Sequence, residues 1–216
     1  MKIKTKIPIS REILADMETP LSIYRKLANG PYSYLFESVE GGENWARYSL
    51  IGLEASKVVF IKKNLIEIQL NGAIIESFQC DDPLGYIDEL QKSFELKKNE
   101  DLPIFNGGLV GYFGYDCVRY IEHRLANSEP PDKIGTPDAL FMISDEVAVF
   151  DNLKNKVHLI VLIESLEDVD KANIRLDEIE NQLKESLPFE DFNKPIKSIK
   201  ESDFVSGFGE EEFKLS

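Results

Sequence analysis

The stretch ALFMISDEVAVFDNLKNKVHLIVLI, Ala139–Ile163, is apolar along most of its length, yet acids break it at Asp145, Glu146 and Asp151. Crossing a bilayer takes about 20 uninterrupted apolar residues, which no run in this chain supplies. The stretch therefore has to be buried in a protein core. Its richness in Val, Ile and Phe predicts two buried strands joined by a polar turn at Asp151–Lys156. Further strands follow from SKVVFIKKNLIEIQLNGAIIESFQ, Ser56–Gln79, where apolar and polar residues alternate across two or three strands. Asn71-Gly72 is a hairpin signal between LIEIQL and AIIESF.

Helices are set apart from these strands. Glu18–Ser33 reads as a short helix with Thr19 as cap, Pro20 in the first turn and Gly30-Pro31 as its end, and with Leu21, Tyr24 and Leu27 as the apolar face. Asp82–Phe94 predicts a second, capped by Asp82 and burying Leu84, Ile87, Leu90 and Phe94. Asp168–Leu187 predicts a third through Ala172, Leu176, Ile179, Leu183 and Leu187. Phe105–His123 runs from strand to helix, and Asn127–Asp138 is an irregular connection. The fold class expected is α+β, with mostly antiparallel β-sheets and flanking helices.

The chain has 216 residues and is 43% hydrophobic, enough for a packed core. Its net charge of −14, from 25 basic and 39 acidic residues, argues against nucleic acid or an anionic membrane as partner. Two cysteines, Cys80 and Cys117, form no paired framework or metal motif. The basic start MKIKTKIPIS has no apolar segment behind it and does not read as a signal peptide. A reducing, cytoplasmic setting is expected.

Several motifs have bland readings. The glycines of GGLVGYFGY, from Gly107, fit neither dinucleotide nor Walker spacing and point instead to close backbone approach. Asp116, Arg119 and Glu122 would form one charged helical ridge, facing either a partner domain or solvent. Cys117 reads as a small core residue, and two histidines, His123 and His158, do not suggest a metal site. No catalytic residue and no metal ligand is assigned in this chain.

The stretch SYLFESVEGGENWARYSLIG, Ser33–Gly52, has strand-like ends around a polar loop. A free amino acid needs an acceptor for its ammonium, donors for its carboxylate and an apolar slot. Glu37, Ser38 with backbone N–H groups, and Leu35 could supply these, with Arg47, Tyr48 and Ser49 opening the next strand. An ordinary hairpin with a polar loop fits the same residues.

These residues also carry a family resemblance. YLFESVEGGENWARYSLIG resembles the LLES…RYS.IG signature of the large, chorismate-binding subunit of anthranilate synthase. GGLVGYFGYDCVRYIE, PDALFMISDEVAVFD and the closing FGEEEFK resemble it in the same order. The resemblance implies the N-terminal part of an αββα-type fold. Residues 1–190 would be a regulatory domain, and 191–216 a linker and the start of a chorismate-binding domain cut off after Ser216. It implies an enzyme that converts chorismate and ammonia to anthranilate and pyruvate with Mg²⁺, the Mg²⁺ site lying outside this chain. A glutamine amidotransferase subunit would supply ammonia, and L-tryptophan would inhibit. One wall of the tryptophan site would be Leu35, Glu37, Ser38, Arg47, Tyr48 and Ser49, with Phe36 replacing the usual leucine. Ser38→Phe in a full-length protein would then relieve inhibition. The alternatives are the same region of aminodeoxychorismate synthase and a stand-alone binding module. Loss of a partner domain would expose apolar surface and favour a homo-oligomer.

Overall fold

A computed structural model describes residues 4–37, 47–125, 132–187 and 214. Among these residues there are eleven strands: β1 (Lys4–Leu14), β2 (Tyr34–Phe36), β3 (Tyr48–Gly52), β4 (Lys57–Lys62), β5 (Leu65–Leu70), β6 (Ala73–Gln79), β7 (Phe94–Leu96), β8 (Gly108–Phe113), β9 (Ala139–Ser144), β10 (Glu146–Asp151) and β11 (Lys156–Ile163). The helices are α1 (Pro20–Leu27), α2 (Pro83–Lys92), α3 (Val118–Ile121) and α4 (Val169–Lys184). One sheet has six strands in the order β2-β3-β10-β11-β1-β7, and the other five in the order β6-β5-β4-β9-β8. All pairs are antiparallel except β1 with β7. The expected α+β class with mostly antiparallel sheets is what the chain forms.

The layering follows from strand alternation. Ile51, Ala148, Phe150, Val157 and Leu159 of the first sheet pack against Ile23 and Leu27 of α1 and Ala172, Leu176, Ile179 and Leu183 of α4. On the second sheet, Val59, Ile61, Ile66 and Phe141 pack against Ile87 and Leu90 of α2. Between the sheets, Tyr34 and Leu50 meet Val58, Val110 and Met142. Helices thus cover the outer faces of two facing sheets.

The 139–163 stretch forms three strands, not two. β9 belongs to the five-stranded sheet and β10 to the six-stranded sheet, with Asp145 alone between them. The switch was hidden because the apolar character continues across it. The polar turn at its other end lies between β10 and β11, where Asn155 takes φ 51°. The basic start of the chain is the inner strand β1, which the sequence reading left unassigned. β7 accompanies β1 only at Lys4–Lys6, so Pro8 sits where β1 has β11 as its sole neighbour. That placement suits a residue lacking an N–H.

Local chemistry accounts for the helices. Thr19 and Ser22 form a reciprocal capping box at α1, and the Asp82 side chain accepts from Gly85 N at 2.9 Å at α2. The expected face of α1 is corrected: Leu21 is exposed and Ile23 is buried, because α4 and β3 approach from that side. Lys26 of α1 donates to the carbonyl of Leu183 at 2.9 Å and so ties the two helices. Asn71 (φ 50°) and Gly72 (φ 78°) make the β5–β6 turn, whose two left-handed residues fit the type expected of Asn-Gly. At Gly111 a Cβ would lie 1.9 Å from the Leu140 carbonyl oxygen, so this glycine does mark close backbone approach.

Leu176→Ala should destabilise the protein by about 2–5 kcal/mol, because Leu176 is 1% exposed. Ile174→Ala, at a 60% exposed site on the same helix, should stay within about 0.5 kcal/mol. Urea titrations of the two variants read the difference. Equal effects would reject the packing of α4 described here.

Candidate functional site

The tip formed by β2 and β3 is built on an edge. Among the described residues β2 pairs only with β3, through Tyr34↔Gly52, Leu35↔Ile51 and Phe36↔Leu50. Tyr34 turns between the sheets, its ring over Gly52, where a Cβ would lie 1.9 Å from ring carbon. Its hydroxyl meets Ser144 Oγ at 2.9 Å, and burial pushes the phenol up to about 12, with the hydrogen bond opposing. Phe36 lies on the same face beside Tyr34, ring centroids 5.0 Å apart, but is half exposed.

The candidate effector residues are not placed alike. Leu35 packs with Ile51 on the α1 side of the sheet. Glu37 is exposed at the end of β2. Ser38 lies outside the described residues. Arg47 and Tyr48 stand together, the guanidinium 4.9 Å from the Tyr48 ring centroid, within cation–π range. Ser49 is buried, and its hydroxyl accepts from Asn152 Nδ2 at 3.1 Å.

Two residues that the sequence reading treated only as a turn organise this tip. Asp151 closes β10, is 1% exposed, and receives Arg47 Nη2 at 2.6 Å and Nε at 3.1 Å. It also accepts from Leu153 N at 3.0 Å and Lys154 N at 3.1 Å. Asn152 N donates to Arg47 O at 2.8 Å while its side chain holds Ser49. Burial raises the Asp151 carboxyl, but Arg47 and the two backbone donors outweigh it, and the group titrates below its ordinary range. The signal available in sequence was an Asp-Asn pair at a strand end, a common turn signature that carries no hint of a partner about 100 residues away. Arg47 is therefore held on one edge of its fork, with Nη1 outside the Asp151 pair.

A second concave region lies beside the sheet switch. A cleft of about 570 Å³ is bordered by Tyr32, Glu54, Asn71, Asp145, Glu146 and Arg175. Arg175 chelates Glu146 with Nε and Nη2, each at 2.9 Å, and reaches Glu178 at 2.9 Å. These partners hold its guanidinium well above its usual range. Asp145 pairs with buried Lys6, yet burial dominates and its carboxyl is raised.

The remaining motifs are structural. Cys117 is buried, donates to the Asp138 carbonyl at 3.1 Å, and is raised by burial, which suits an inert core thiol. Asp116 and Arg119 form an ion pair at 2.8 Å, whereas Glu122 faces Arg124 at 3.3 Å, so the expected three-residue ridge is split. Among the described residues no group of three or more His, Cys, Asp or Glu side chains is placed to hold a metal ion. The described residues do not fit a Mg²⁺ site. No helix among the described residues is long and apolar enough to cross a membrane.

With this geometry in hand, the chain can be set beside known proteins. A family profile described as "chorismate binding enzyme" matches residues 56–212. The chain belongs to that family. Anthranilate synthase component 1 of Pseudomonas aeruginosa is 44% identical over 211 residues, covering 96% of this chain and 43% of that protein. Anthranilate synthase component 1 of Neisseria meningitidis serogroup B is 43% identical over 215 residues, covering 97% of this chain and 43% of that protein. The crystal structure of anthranilate synthase component I from Streptococcus pneumoniae TIGR4 aligns with TM-score 0.48 and 27% identity over 80% of this chain and 38% of that one. The chain thus spans about 43% of the length of these curated relatives.

Asp151 has a depressed folded-state pKa, so its contribution to stability is present above the unfolded value near 4 and is lost as pH falls through the lower folded value. Asp151→Ala should cost about 1–3 kcal/mol at pH 7, allowing for solvent at the Arg47 side. It should also flatten the decline in stability as pH falls below about 4. Urea titrations across that range test both; an unchanged acid limb would mean the carboxylate is not held as described.

Proposed function

We propose that this chain is the regulatory, N-terminal part of an anthranilate synthase component I, and that it carries one wall of the tryptophan feedback site. The observation that carries the reading is identity of 43–44% across nearly the whole chain to proteins of that name. The enzyme would convert chorismate and ammonia to anthranilate and pyruvate in tryptophan biosynthesis, in the cytoplasm. The name of these relatives, component 1, implies a second component, which for this chain would be a glutamine amidotransferase subunit delivering ammonia. Mg²⁺ and the reacting groups would be held by residues outside this chain, which would leave the 216-residue piece inactive by itself.

We divide the chain at 190/191, with 191–216 as linker and start of the chorismate-binding domain. The support is packing: α4 closes the helical cover of the six-stranded sheet by Lys184. The family match at 56–212 crosses this boundary, so the division is one of packing alone.

The tip of β2 and β3 supports an effector wall in a specific way. Glu37 offers an exposed carboxylate to an ammonium group. Arg47 offers a positive charge, and Tyr48 a ring, at the mouth of an edge hairpin. Leu35 and Ser49 then serve from behind, by fixing the strands that present these groups. Burying an indole-sized surface of about 200 Å² yields on the order of 5 kcal/mol. Micromolar affinity needs about 8 kcal/mol after the cost of association. One wall alone is therefore weak, and inhibition requires tryptophan to favour one arrangement of this body against a second wall.

The product of the complete gene, assayed with chorismate, ammonia and Mg²⁺, should yield anthranilate, and tryptophan should stop it. Ser38→Phe and Arg47→Ala should each raise the tryptophan concentration for half-inhibition at least tenfold with turnover within about twofold. The 216-residue chain should form no anthranilate and should bind tryptophan no more tightly than roughly millimolar. Aminodeoxychorismate as product would move the protein to the sister enzyme, and an unchanged tryptophan response in both variants would remove the effector wall from this hairpin.

A further inference from the structure

The dipeptide Asn-Gly occurs three times, at Asn29-Gly30, Asn71-Gly72 and Asn106-Gly107. It carries a chemistry of its own. Glycine has no Cβ, so its backbone nitrogen can approach the side-chain amide of the asparagine before it with little crowding. Because the dipeptide is the same at all three places, the folded surroundings decide which of them reacts.

Asn106-Gly107 is confined by packing. Asn106 is 8% exposed, and its Nδ2 donates to the Pro103 carbonyl at 3.4 Å. A Cβ on Gly107 would lie 2.5 Å from Leu162 Cδ1 and 2.9 Å from the Ser144 carbonyl oxygen, so this backbone has no room to swing. Asn29-Gly30 is restrained by charge. Asn29 is exposed, but the Glu54 carboxylate lies against Gly30, where a Cβ would meet Oε2 at 2.0 Å. A negative charge there opposes loss of a proton from the Gly30 amide. Asn71-Gly72 has neither restraint. Both residues are exposed, and a Cβ on Gly72 would meet nothing within 4 Å. Leu70 pairs with Ala73, so Gly72 N stands at the centre of the turn, outside the β5–β6 ladder. The turn borders the 570 Å³ cleft, whose acids Asp145 and Glu146 are engaged by Lys6 and Arg175.

We propose that Asn71 is a site of spontaneous modification, at which the side-chain amide leaves as ammonia and aspartate or isoaspartate takes its place. Gly72 N gives its proton to water or hydroxide and attacks Asn71 Cγ. The Cγ–Nδ2 bond breaks, and the leaving nitrogen takes a proton from solvent to depart as ammonia. The resulting cyclic imide takes up one water. Opening at Cγ gives aspartate, and opening at the main-chain carbonyl gives isoaspartate, whose backbone is longer by a methylene. Water is the sole co-reactant, and nothing is oxidised or reduced. Either product adds a negative charge at the rim of a cleft already bordered by Glu54, Asp145 and Glu146. Isoaspartate also disturbs the turn, which requires two left-handed residues, φ 50° at Asn71 and 78° at Gly72. Among the described residues β6 has β5 as its sole neighbour, so the β5–β6 hairpin is where that disturbance is felt.

Peptide mapping by mass spectrometry tests the proposal on the 216-residue chain, incubated folded at about pH 8 and, in parallel, in guanidinium chloride. Folded, Asn71 should lose ammonia at least tenfold faster than Asn29 or Asn106, and labelling by an isoaspartyl methyltransferase should place isoaspartate at this position. Denatured, the three sites should react within about threefold of one another, since folding alone separates them. In the modified fraction, hydrogen exchange should quicken for the β5 and β6 amides beside the turn and stay unchanged in β9. Equal rates at the three sites of the folded chain, or faster loss at Asn29 or Asn106, overturn the proposal. So does an Asn71 that survives in the folded chain while reacting in denaturant.

Discussion

Ser144 belongs to one sheet and Glu146 to the other, and only Asp145 lies between them. A single residue must therefore turn the chain from one layer to the next, which fixes how closely the two sheets approach at that end. The corner is bound on several sides. The Asp145 carbonyl accepts from Leu162 N at 2.8 Å, the Glu146 carbonyl accepts from Leu53 N at 3.1 Å, and the Asp145 carboxylate pairs with Lys6 from β1. Lys6 is buried but Asp145 is partly exposed, so the pair adds little to stability and is better understood as setting registry. Here it holds β1 and the corner in one relation. Close contacts cluster around it: Tyr34 bonds Ser144 across the layers, and Gly107 approaches the Ser144 carbonyl so nearly that a Cβ would sit 2.9 Å away.

From this corner outward the six-stranded sheet runs to an edge formed by β3 and β2. β3 is locked to β10 along five residue pairs and finished by Asp151 and Asn152, whereas β2 rests on β3 alone. Among the described residues β3 thus has a strand on either side and β2 on one side only. An effector can shift an equilibrium only by its differential affinity for two arrangements. In the proposed reading, the start of β3 presents Arg47 and Tyr48, while the strand ending at Glu37 is the one whose position a ligand could bias.

What was legible in the sequence was local. The caps at Thr19 and Asp82, the Asn71-Gly72 turn and the apolar face of α4 each follow from residues within a few positions of one another, and each formed as read. What was missed depends on distant partners. β1 reads as a basic terminus until β11 lies along it. β7 is too short to show a period, and the sheet switch at Asp145 changes layer without changing composition. Leu21 and Ile23 are equally apolar, and only the approach of α4 decides which is buried. The candidate site divides in the same way. Its residues could be named from a motif, but their tasks could not: that Ser49 and Leu35 face the packed side and Arg47 answers to Asp151 is a property of the β3–β10 pairing.

The distribution of charge joins the site to the edges. An acidic protein of −14 keeps its layers together because many acids have nearby partners: Asp151 with Arg47, Glu146 with Arg175, and Asp177 and Glu180 with Arg11. Pairing of this kind lowers local repulsion without contributing much stability at exposed positions. At the β2–β3 tip Asp151 engages Nε and Nη2 on one edge of the Arg47 fork, Nη1 lies outside that pair, and the guanidinium carbon stands 4.9 Å from the Tyr48 ring centroid. A zwitterion with an aromatic body is the kind of guest whose three needs, for an acid, a base and a ring, this margin of the sheet meets in part. The acidic surface elsewhere offers such a guest mainly repulsion for its carboxylate.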